Sequence, residues 1–260
     1  MEDEKKIVEE IEKLVKTLDP GKIKTNGEEK ARSLLWKSEA EAKVYLDNLL
    51  TEYTFQCYGE KRPDGCYRLA NYNETITRNY SEAVKIHKRT CDDSNYERSC
   101  YHYANACLLG RGLKKDEIEG FKYHLKSCSL NNGRSCQIAG ELAYGGKYIA
   151  PDLKLGVKCF EKACDLKEPE ACAKLFHINF DEKGQFMNRP KALQYAIKAC
   201  NLGNLSGCVN ASVMYKNGDG IPKDLDLSKL YREKAEEIHK LLTQPQEGIV
   251  FGEGHKNYKL

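Results

Sequence analysis

The stretch Cys164-Asp165-Leu166-Lys167-Glu168-Pro169-Glu170-Ala171-Cys172 contains two cysteines separated by seven residues, and this spacing recurs along the chain. Five such pairs are present, the first two being one residue longer: Cys57 and Cys66, Cys91 and Cys100, Cys128 and Cys136, Cys164 and Cys172, Cys200 and Cys208. The second cysteines fall at positions 66, 100, 136, 172 and 208, so successive steps are 34, 36, 36 and 36 residues. This period is typical of stacked helical repeats. It predicts an all-α solenoid of antiparallel helical hairpins.

The extent of the repeat defines the predicted domains. Residues 38–242 are expected to form the solenoid of about five repeats, beginning with a helix near Ser38 whose inward residues are Val44, Tyr45, Leu49 and Tyr53. Residues 1–37 contain an amphipathic helix and a linker; its apolar stripe is Ile7, Val8, Ile11, Leu14, Val15 and Leu18. Residues 243–260, with Pro245 and scattered charge, are predicted to be disordered.

Small residues occupy fixed positions of the repeat, which predicts close packing of the paired helices. Eight positions before the first cysteine come Ala83, Gly120, Gly156 and Ala192, and four positions after the second come Ala70, Ala104, Gly140 and Ser212. Glycine within a helix costs about 1 kcal/mol relative to alanine, so these glycines should allow close helix approach. Phe176 breaks this pattern, which predicts a splayed or repacked fourth hairpin. Between the paired helices, glycine-rich turns are expected to need positive φ angles: Gly110-Arg111-Gly112, Gly145-Gly146, Gly184, Gly218-Asp219-Gly220.

The composition argues against some classes of protein. Of the 260 residues, 40% are hydrophobic and 31% charged, and the formal net charge is +3. Nucleic-acid-binding proteins usually carry a strong basic stripe, and this balance gives no basis for one. No run approaches the eighteen apolar residues that a transmembrane helix needs. We therefore expect neither nucleic acid binding nor a membrane-spanning segment.

The cysteine pairs are predicted to form disulfides. A tight turn between antiparallel helices brings such positions within the Cα separation that a disulfide requires. Zinc sites favour two to four residues between paired cysteines, and the chain has no Cys-x-x-Cys, so a metal site is disfavoured. Cys107 and Cys159 lie outside the pairs and are predicted to be buried free thiols. The alternative is a redox enzyme that uses one of them, which would require a thiolate of lowered pKa.

The histidines form no catalytic motif. His87 and His124 share one repeat position, four residues before the first cysteine, and are interpreted as packed helix-face residues. No Ser-His-Asp order, phosphate-binding glycine loop or paired carboxylates can be identified. We therefore expect no catalytic residues and no enzyme activity supported by a motif.

The paired cysteines and the N-terminus together constrain the expected compartment. Disulfides belong to oxidising compartments, yet residues 1–6 are charged and lack both the apolar core of a secretory signal and the character of a mitochondrial presequence. The mitochondrial intermembrane space resolves this conflict, because its small cysteine-rich proteins are commonly imported without a cleaved presequence and trapped by oxidation. The alternative is a reducing cytosol with ten buried thiols.

The repeat units resemble a known family. The segments Ala163-Cys164-Asp165-Leu166 and Tyr215-Lys216-Asn217-Gly218-Asp219-Gly220 are similar to Sel-1-like repeats, relatives of the tetratricopeptide hairpins. Cysteine-paired members look like two groups: secreted cysteine-rich repeat proteins of Helicobacter-type bacteria, and the cytochrome c oxidase assembly factor 7 family. The stretches 63–69 and 208–216 resemble the second group most closely.

The second resemblance implies a factor for biogenesis of respiratory complex IV, acting as a protein-binding scaffold in the intermembrane space. It also implies complex IV assembly proteins such as copper chaperones, and the oxidative import machinery, as partners. Haem binding is implied as a property of the family. No haem-ligand motif can be matched, and His177, Tyr144 and Met214 are candidates by chemistry alone. The alternative function is that of a secreted bacterial repeat protein binding host or cell-wall ligands.

Overall fold

The computed structural model describes residues 39–146 and 148–243, and these residues form helices and connecting turns without any strand. The helices are α1 (Glu39–Thr54), α2 (Pro63–Thr75), α3 (Tyr80–Ser94), α4 (Glu97–Leu109), α5 (Glu117–Ser129), α6 (Gly133–Gly145), α7 (Leu153–Asp165), α8 (Pro169–Phe180), α9 (Arg189–Asn201), α10 (Leu205–Asn217) and α11 (Leu225–Thr243). A π-helical turn, Phe55–Gly59, follows α1. The prediction of an all-α repeat fold is confirmed.

Some predictions concern residues outside this description. The amphipathic helix and linker of residues 1–37, the start at Ser38 and the disordered tail beyond residue 243 all lie outside the described residues. Thr243 itself is the last residue of α11 rather than the first residue of a disordered tail. None of the described helices is both long enough and apolar enough to cross a bilayer.

The described chain falls into two compact units that meet in sequence at Ile86. In the first unit, α1 and the π-helical turn pack on α2, and a core forms around one cysteine pair: Cys57, Cys66, Leu69, Ala70 and Ile86, with Leu50 and Tyr53 beside it. This unit corrects one prediction, because Val44 and Tyr45 are exposed rather than inward. The residues of α1 that follow buried Ala42 at helical spacing are half-buried, namely Leu46, Leu49, Leu50 and Tyr53, and Val44 and Tyr45 lie outside that stripe.

In the second unit the helices pair in chain order as α4 with α5, α6 with α7, α8 with α9, and α10 with α11. Between the helices of three of these hairpins a glycine ends the first helix in the left-handed conformation, namely Gly110 (φ 70°), Gly146 (φ 60°) and Gly218 (φ 76°). The glycine turns are thus confirmed for these hairpins. Asp152 and Asp224 cap the returning helices as predicted, since their carboxylates accept the Leu155 and Leu227 N–H groups.

The α8–α9 hairpin differs from the other three. Asp181 ends α8 in an extended conformation (φ −64°, ψ 115°), and Gly184 does not adopt positive φ, so the glycine prediction is wrong for this turn. Phe176 is buried and stacks on Phe180, with ring centroids 5.1 Å apart. The larger side chain is therefore accommodated by repacking, one of the two outcomes that the sequence predicted.

The small residues of the repeat mark where the paired helices approach most closely. A Cβ added to Gly156 would lie 2.7 Å from Tyr144 Cβ and 3.0 Å from the Tyr144 backbone N. A Cβ added to Gly140 would lie 2.8 Å from the Phe160 ring, and one added to Gly120 would lie 3.0 Å from the Ala104 carbonyl oxygen. The predicted close approach is confirmed at all three glycines. Its benefit is tight packing of the two helices, which offsets the low helix propensity of glycine.

Candidate functional site

Each junction between successive hairpins contains a disulfide. The bridges join Cys57 to Cys66, Cys91 to Cys100, Cys128 to Cys136, Cys164 to Cys172, and Cys200 to Cys208. The Cα atoms of each pair are 4.3 to 4.8 Å apart. All ten cysteines are buried. The bridges therefore belong to the core of the repeats and are not surface chemistry.

A left-handed residue makes these junctions tight enough for a bridge. In the last three pairs it lies three positions after the first cysteine: Asn131 (φ 69°), Lys167 (φ 68°) and Gly203 (φ 85°). Its N–H group donates to the carbonyl of that cysteine, as in Lys167 N to Cys164 O at 3.1 Å. The left-handed residue reverses the chain direction within a few residues, so that one helix ends and the next begins close to it. This feature was missed in the sequence, although an asparagine and a glycine at equivalent positions are a signal for it.

The two longer pairs absorb their extra residue without losing this geometry. Their left-handed residue lies four positions after the first cysteine, at Lys61 (φ 55°) and Asn95 (φ 49°). In the first pair the added residue widens the last turn into the π-helical turn Phe55–Gly59. In the second pair α3 continues to Ser94, three residues past Cys91, whereas the helices of the shorter pairs end one residue past their cysteine. The extra residue thus changes the preceding helix in both pairs, by a π-helical turn in the first and by a longer α-helix in the second.

The two remaining cysteines are free thiols and are buried. Cys107 has 0% of its surface exposed and Cys159 has 5%, on α4 and α7 respectively. Burial raises the pKa of both thiols, because the surrounding apolar groups disfavour the charged thiolate. A reactive cysteine needs an accessible thiolate with a lowered pKa. The environment of these thiols therefore argues against the redox-enzyme interpretation.

His87 and His124 lie at the interfaces between successive hairpins. Their Nδ1 atoms are each 3.4 Å from the Oγ atom of a serine on the next first helix, Ser99 and Ser135 respectively. Both imidazoles are almost fully buried, and burial lowers the pKa of His124 to about 4. His124 is therefore neutral near pH 7, and it acts as a packing residue, as its repeat position indicated.

Lysines form a second set of contacts between repeats. Lys126 Nζ lies 3.1 Å from Asp92 Oδ1, and Lys198 Nζ lies 3.0 Å from Asp165 Oδ1. Lys162, at the equivalent position, donates to the Ser129 carbonyl oxygen at 3.2 Å. In each case the lysine two positions before a first cysteine reaches the residue that follows the first cysteine of the preceding pair. These contacts are at the surface, so each adds little to stability. The same two positions are joined in each of the three repeats.

The three haem candidates do not form a site together. Met214 is 1% exposed within the core, which leaves its thioether inaccessible to a cofactor, while His177 is exposed on α8. Tyr144 is half-buried, and its ring is tilted against Phe160 with centroids 6.3 Å apart. A cleft on α1 and a cleft on the last hairpin are both lined by other residues. These three residues therefore do not fit a haem together, and we derive no role for one.

A cleft lies on the last hairpin, between α10 and α11. This cleft has a volume of about 390 Å³ and is lined by Val209, Ser212, Val213, Lys216, Leu225, Ser228, Lys229, Arg232 and Ala235. Its apolar residues Val209, Val213 and Leu225 are 45%, 45% and 60% exposed. We refer to it as the terminal cleft. The repeat pattern predicts that the helix of residues 221–242 closes the array as a polar cap; the apolar residues of the closing hairpin are a signal for this surface.

Comparison with protein families identifies the repeat unit. Sel1 repeats match residues 63–95, 98–132, 136–168, 169–204 and 205–237. Each matched unit covers one first helix and its returning helix as the structure has them. A crystal structure of a Sel1 repeat protein from Oxalobacter formigenes superposes with a TM-score of 0.57 at 19% identity, covering 68% of this chain and 73% of that one. That similarity supports the fold.

Comparison with curated proteins gives nearer relatives. The cytochrome c oxidase assembly factor 7 of Xenopus tropicalis is 38% identical over 224 residues, covering 84% of this chain and 97% of the relative. The Drosophila melanogaster homologue of the same factor is 32% identical over 257 residues, covering 84% of this chain and 96% of the relative. Of the two groups that the cysteine pairs resembled, these relatives belong to the second. The chain therefore belongs to the cytochrome c oxidase assembly factor 7 family of Sel1-repeat proteins.

Proposed function

We propose that the protein supports assembly of cytochrome c oxidase, respiratory complex IV, as a protein-binding scaffold in the mitochondrial intermembrane space. The observation that carries this proposal is the relationship to named assembly factors, which spans nearly their whole length. The repeat fold supports a scaffold, because stacked helical hairpins present extended surfaces for partners. Copper chaperones and other complex IV assembly proteins are the proposed partners.

The disulfides support an oxidising compartment. Five buried bridges are typical of proteins from oxidising compartments and rare in the cytosol, where thiols are kept reduced. The intermembrane space meets this requirement and is adjacent to the inner membrane in which complex IV functions. Oxidation of the pairs on import would close each junction and fold the repeats, which makes the oxidative import machinery the first partner of the chain.

Protease protection tests the compartment. Protease added to intact mitochondria should leave the protein undigested, and protease added after rupture of the outer membrane alone should degrade it. A matrix protein and an outer-membrane protein serve as the controls. Recovery of the protein in the cytosolic fraction, or its protection after rupture of the outer membrane, would contradict the proposed location.

The scaffold role is tested by removing one bridge. Replacing Cys164 and Cys172 with serine should lower the melting temperature and the cellular abundance, because loss of a bridge in a small domain costs roughly 2–5 kcal/mol. Assembled complex IV should fall in proportion to that abundance. Overexpression that restores abundance should then restore complex IV, since a scaffold needs its fold and not the chemistry of this bridge.

Cys107→Ser is the matched control, because it changes one buried thiol without breaking a bridge. It should lower abundance much less than the double substitution. If the double variant is folded and abundant but complex IV does not recover, the bridge itself takes part in a redox step and the scaffold proposal is wrong.

A further inference from the structure

The terminal cleft lies where a following repeat would pack. In earlier hairpins the residue four positions before a first cysteine faces the first helix of the next hairpin. His124 meets Ser135 in this way, and a Cβ added to Gly207 would lie 2.8 Å from the Ala196 carbonyl oxygen. Arg232 has the equivalent position in α11, counted from position 236, where the next first cysteine would fall. The cleft is therefore the surface on which another first helix would lie.

Three positions of this surface carry a positive charge where the equivalent positions of the preceding repeats carry none. In the three preceding repeats, Lys216 corresponds to Leu108, Tyr144 and Phe180; Lys229 corresponds to Phe121, Val157 and Leu193; Arg232 corresponds to His124, Phe160 and Ala196. The counterparts are buried or half-buried, whereas all three cations are exposed and line the cleft. Solvation of a terminal repeat requires only polar residues of any kind. Three positive charges give this surface a preference for negative charge as well.

The apolar part of the surface remains uncovered by the described residues. Val209 and Val213 lie one turn apart on α10, and Leu225 begins α11 on the other side of the cleft. Groups of exposed apolar residues with a polar rim are typical of interaction sites. An amphipathic helix recognises such a groove through apolar residues spaced by three or four positions.

The cations remain able to bind a partner. Lys229 lies 3.9 Å from Glu233, and Arg232 lies 3.7 Å from Glu236. Both are exposed pairs one turn apart on the same helix, and such pairs are weak and readily exchanged. Lys216 forms no ion pair with the described residues.

We propose that the terminal cleft binds an amphipathic α-helix of a partner protein. The helix takes the place of a further first helix of the repeat, with small or apolar residues against Val209, Val213 and Leu225. Carboxylates beside that apolar face lie towards Lys216, Lys229 and Arg232. The inference adds the chemistry of a partner to the scaffold role proposed above and rests on that role only for its cellular meaning.

A pair of designed peptides tests the proposal with the full chain. The first is a fluorescein-labelled 16-residue helix with alanine and leucine on one face and glutamates beside it; the second has lysine in place of every glutamate. The glutamate peptide should bind by fluorescence anisotropy at least about tenfold more tightly than the lysine peptide, because the rim is positive. Its binding should weaken as salt is raised.

Three variants assign that binding to the cleft. Val213→Asp should weaken binding of the glutamate peptide about tenfold, by placing a charge on the apolar floor. The double variant Lys229→Glu, Arg232→Glu should reverse the preference, so that the lysine peptide binds more tightly. Leu242→Asp is the matched control, because Leu242 is an exposed leucine of the same helix outside the cleft, and it should not change binding. Unchanged melting temperatures would show that each variant is folded.

Several results would overturn the proposal. Equal binding of the two peptides, or no binding of either, would show that the surface has no preference for an acidic helix. Dimerisation of the chain that Val213→Asp abolishes would assign the cleft to a second copy. Peptide binding that appears only after deletion of residues 246–260 would assign it to the C-terminal segment of the chain itself. Complex IV assembly is not measured in these experiments, so failure here leaves the assembly role standing, and loss of that role leaves the peptide result standing.

Discussion

Cys107 and Cys159 have the same side chain as the ten bridged cysteines, but their surroundings give them a different chemistry. Each lies within a helix and not beside a junction, so neither has a bridge partner. Both are enclosed, and burial raises the pKa of each thiol. At the residue scale, position within the hairpin decides which cysteines are oxidised and which remain inert thiols.

Alkylation should distinguish these two sets of cysteines. Iodoacetamide should leave the native protein almost unlabelled, label two cysteines in the denatured but unreduced protein, and label all twelve after reduction. The expected count follows from five bridges and two free thiols. Mass spectrometry gives the number of labels. Labelling of none in the denatured protein would mean that Cys107 and Cys159 are bridged to each other.

His124 should make stability depend on pH in the acidic range. Its folded pKa of about 4 is lower than its value of about 6.5 in an unfolded chain. The unfolded state therefore binds more protons between these values, so the stability contributed by neutral His124 is fully present above pH 6.5 and is lost as pH falls towards 4. Between pH 7 and pH 5 this loss should be about 2 kcal/mol.

The measurement compares the parent protein with the His124→Phe variant by chemical denaturation at pH 7 and pH 5, and a second variant serves as the control. His124→Phe places at this position the residue that Phe160 already provides in the next repeat, and it removes the titrating group. The free energy of unfolding of the variant should fall about 2 kcal/mol less than that of the parent protein over this range. His177→Ala, which replaces an exposed histidine, is the control. Its free energy of unfolding should fall by the same amount as that of the parent protein. Equal pH dependence of the parent and His124→Phe would contradict the assignment.

At the scale of the helical hairpin, glycine permits contacts that any side chain would block. Gly156 faces the backbone of Tyr144, which cannot move aside as the end of a flexible side chain could. Gly145, at the end of α6, has nothing within 4 Å of an added Cβ. The same residue type therefore serves packing at one position and has no packing role at the other.

Alanine substitution at these two glycines should have effects of opposite sign. Gly156→Ala should lower the free energy of unfolding by roughly 1–3 kcal/mol, because the methyl group overpacks the α6–α7 interface. Gly145→Ala should leave stability unchanged or raise it by up to about 1 kcal/mol, because alanine favours the helix. Urea denaturation measures both. If Gly156→Ala stabilised the protein, the two helices could move apart at this contact without lowering the free energy of unfolding.

At the scale of the whole molecule, each bridge closes a short loop and none spans more than one junction. The separations of bridged cysteines are eight or nine residues. Closing a loop of about nine residues is worth roughly 2–3 kcal/mol if the effect is on chain entropy. Because repeat proteins are held mainly by contacts between neighbours, bridges at the junctions strengthen the places where such a stack separates.

Peptide mapping without reduction should find only these five short-range pairs. Trypsin cleaves at Lys167, between Cys164 and Cys172, so this bridge should hold two tryptic peptides together until it is reduced. A bridge between cysteines of different pairs would contradict the repeat register. The reduced sample is the control, in which the linked peptides should separate.

The repeat, the helices and the pairing of the cysteines can be predicted from the sequence, because all three depend on short-range spacing. A period of 36 residues with paired cysteines indicates successive helical hairpins. Glycines at fixed positions indicated where helices approach, and aspartates such as Asp152 indicated where they begin. These features are local, so each can be inferred from residues that are close together in the chain.

Which side of a helix is covered, and where groups from different repeats meet, depends on the packing of the helices against one another. Val44 and Tyr45 are exposed, because they lie to the side of the α1 face that contains buried Ala42 and packs against its neighbours. Gly184 lies in a turn that the structure closes without positive φ, since α8 ends in an extended residue. The terminal cleft likewise depends on residues of two helices, with no further repeat among the described residues to cover them. Burial of a face depends on what packs against it, and the pattern of a single helix does not contain that information.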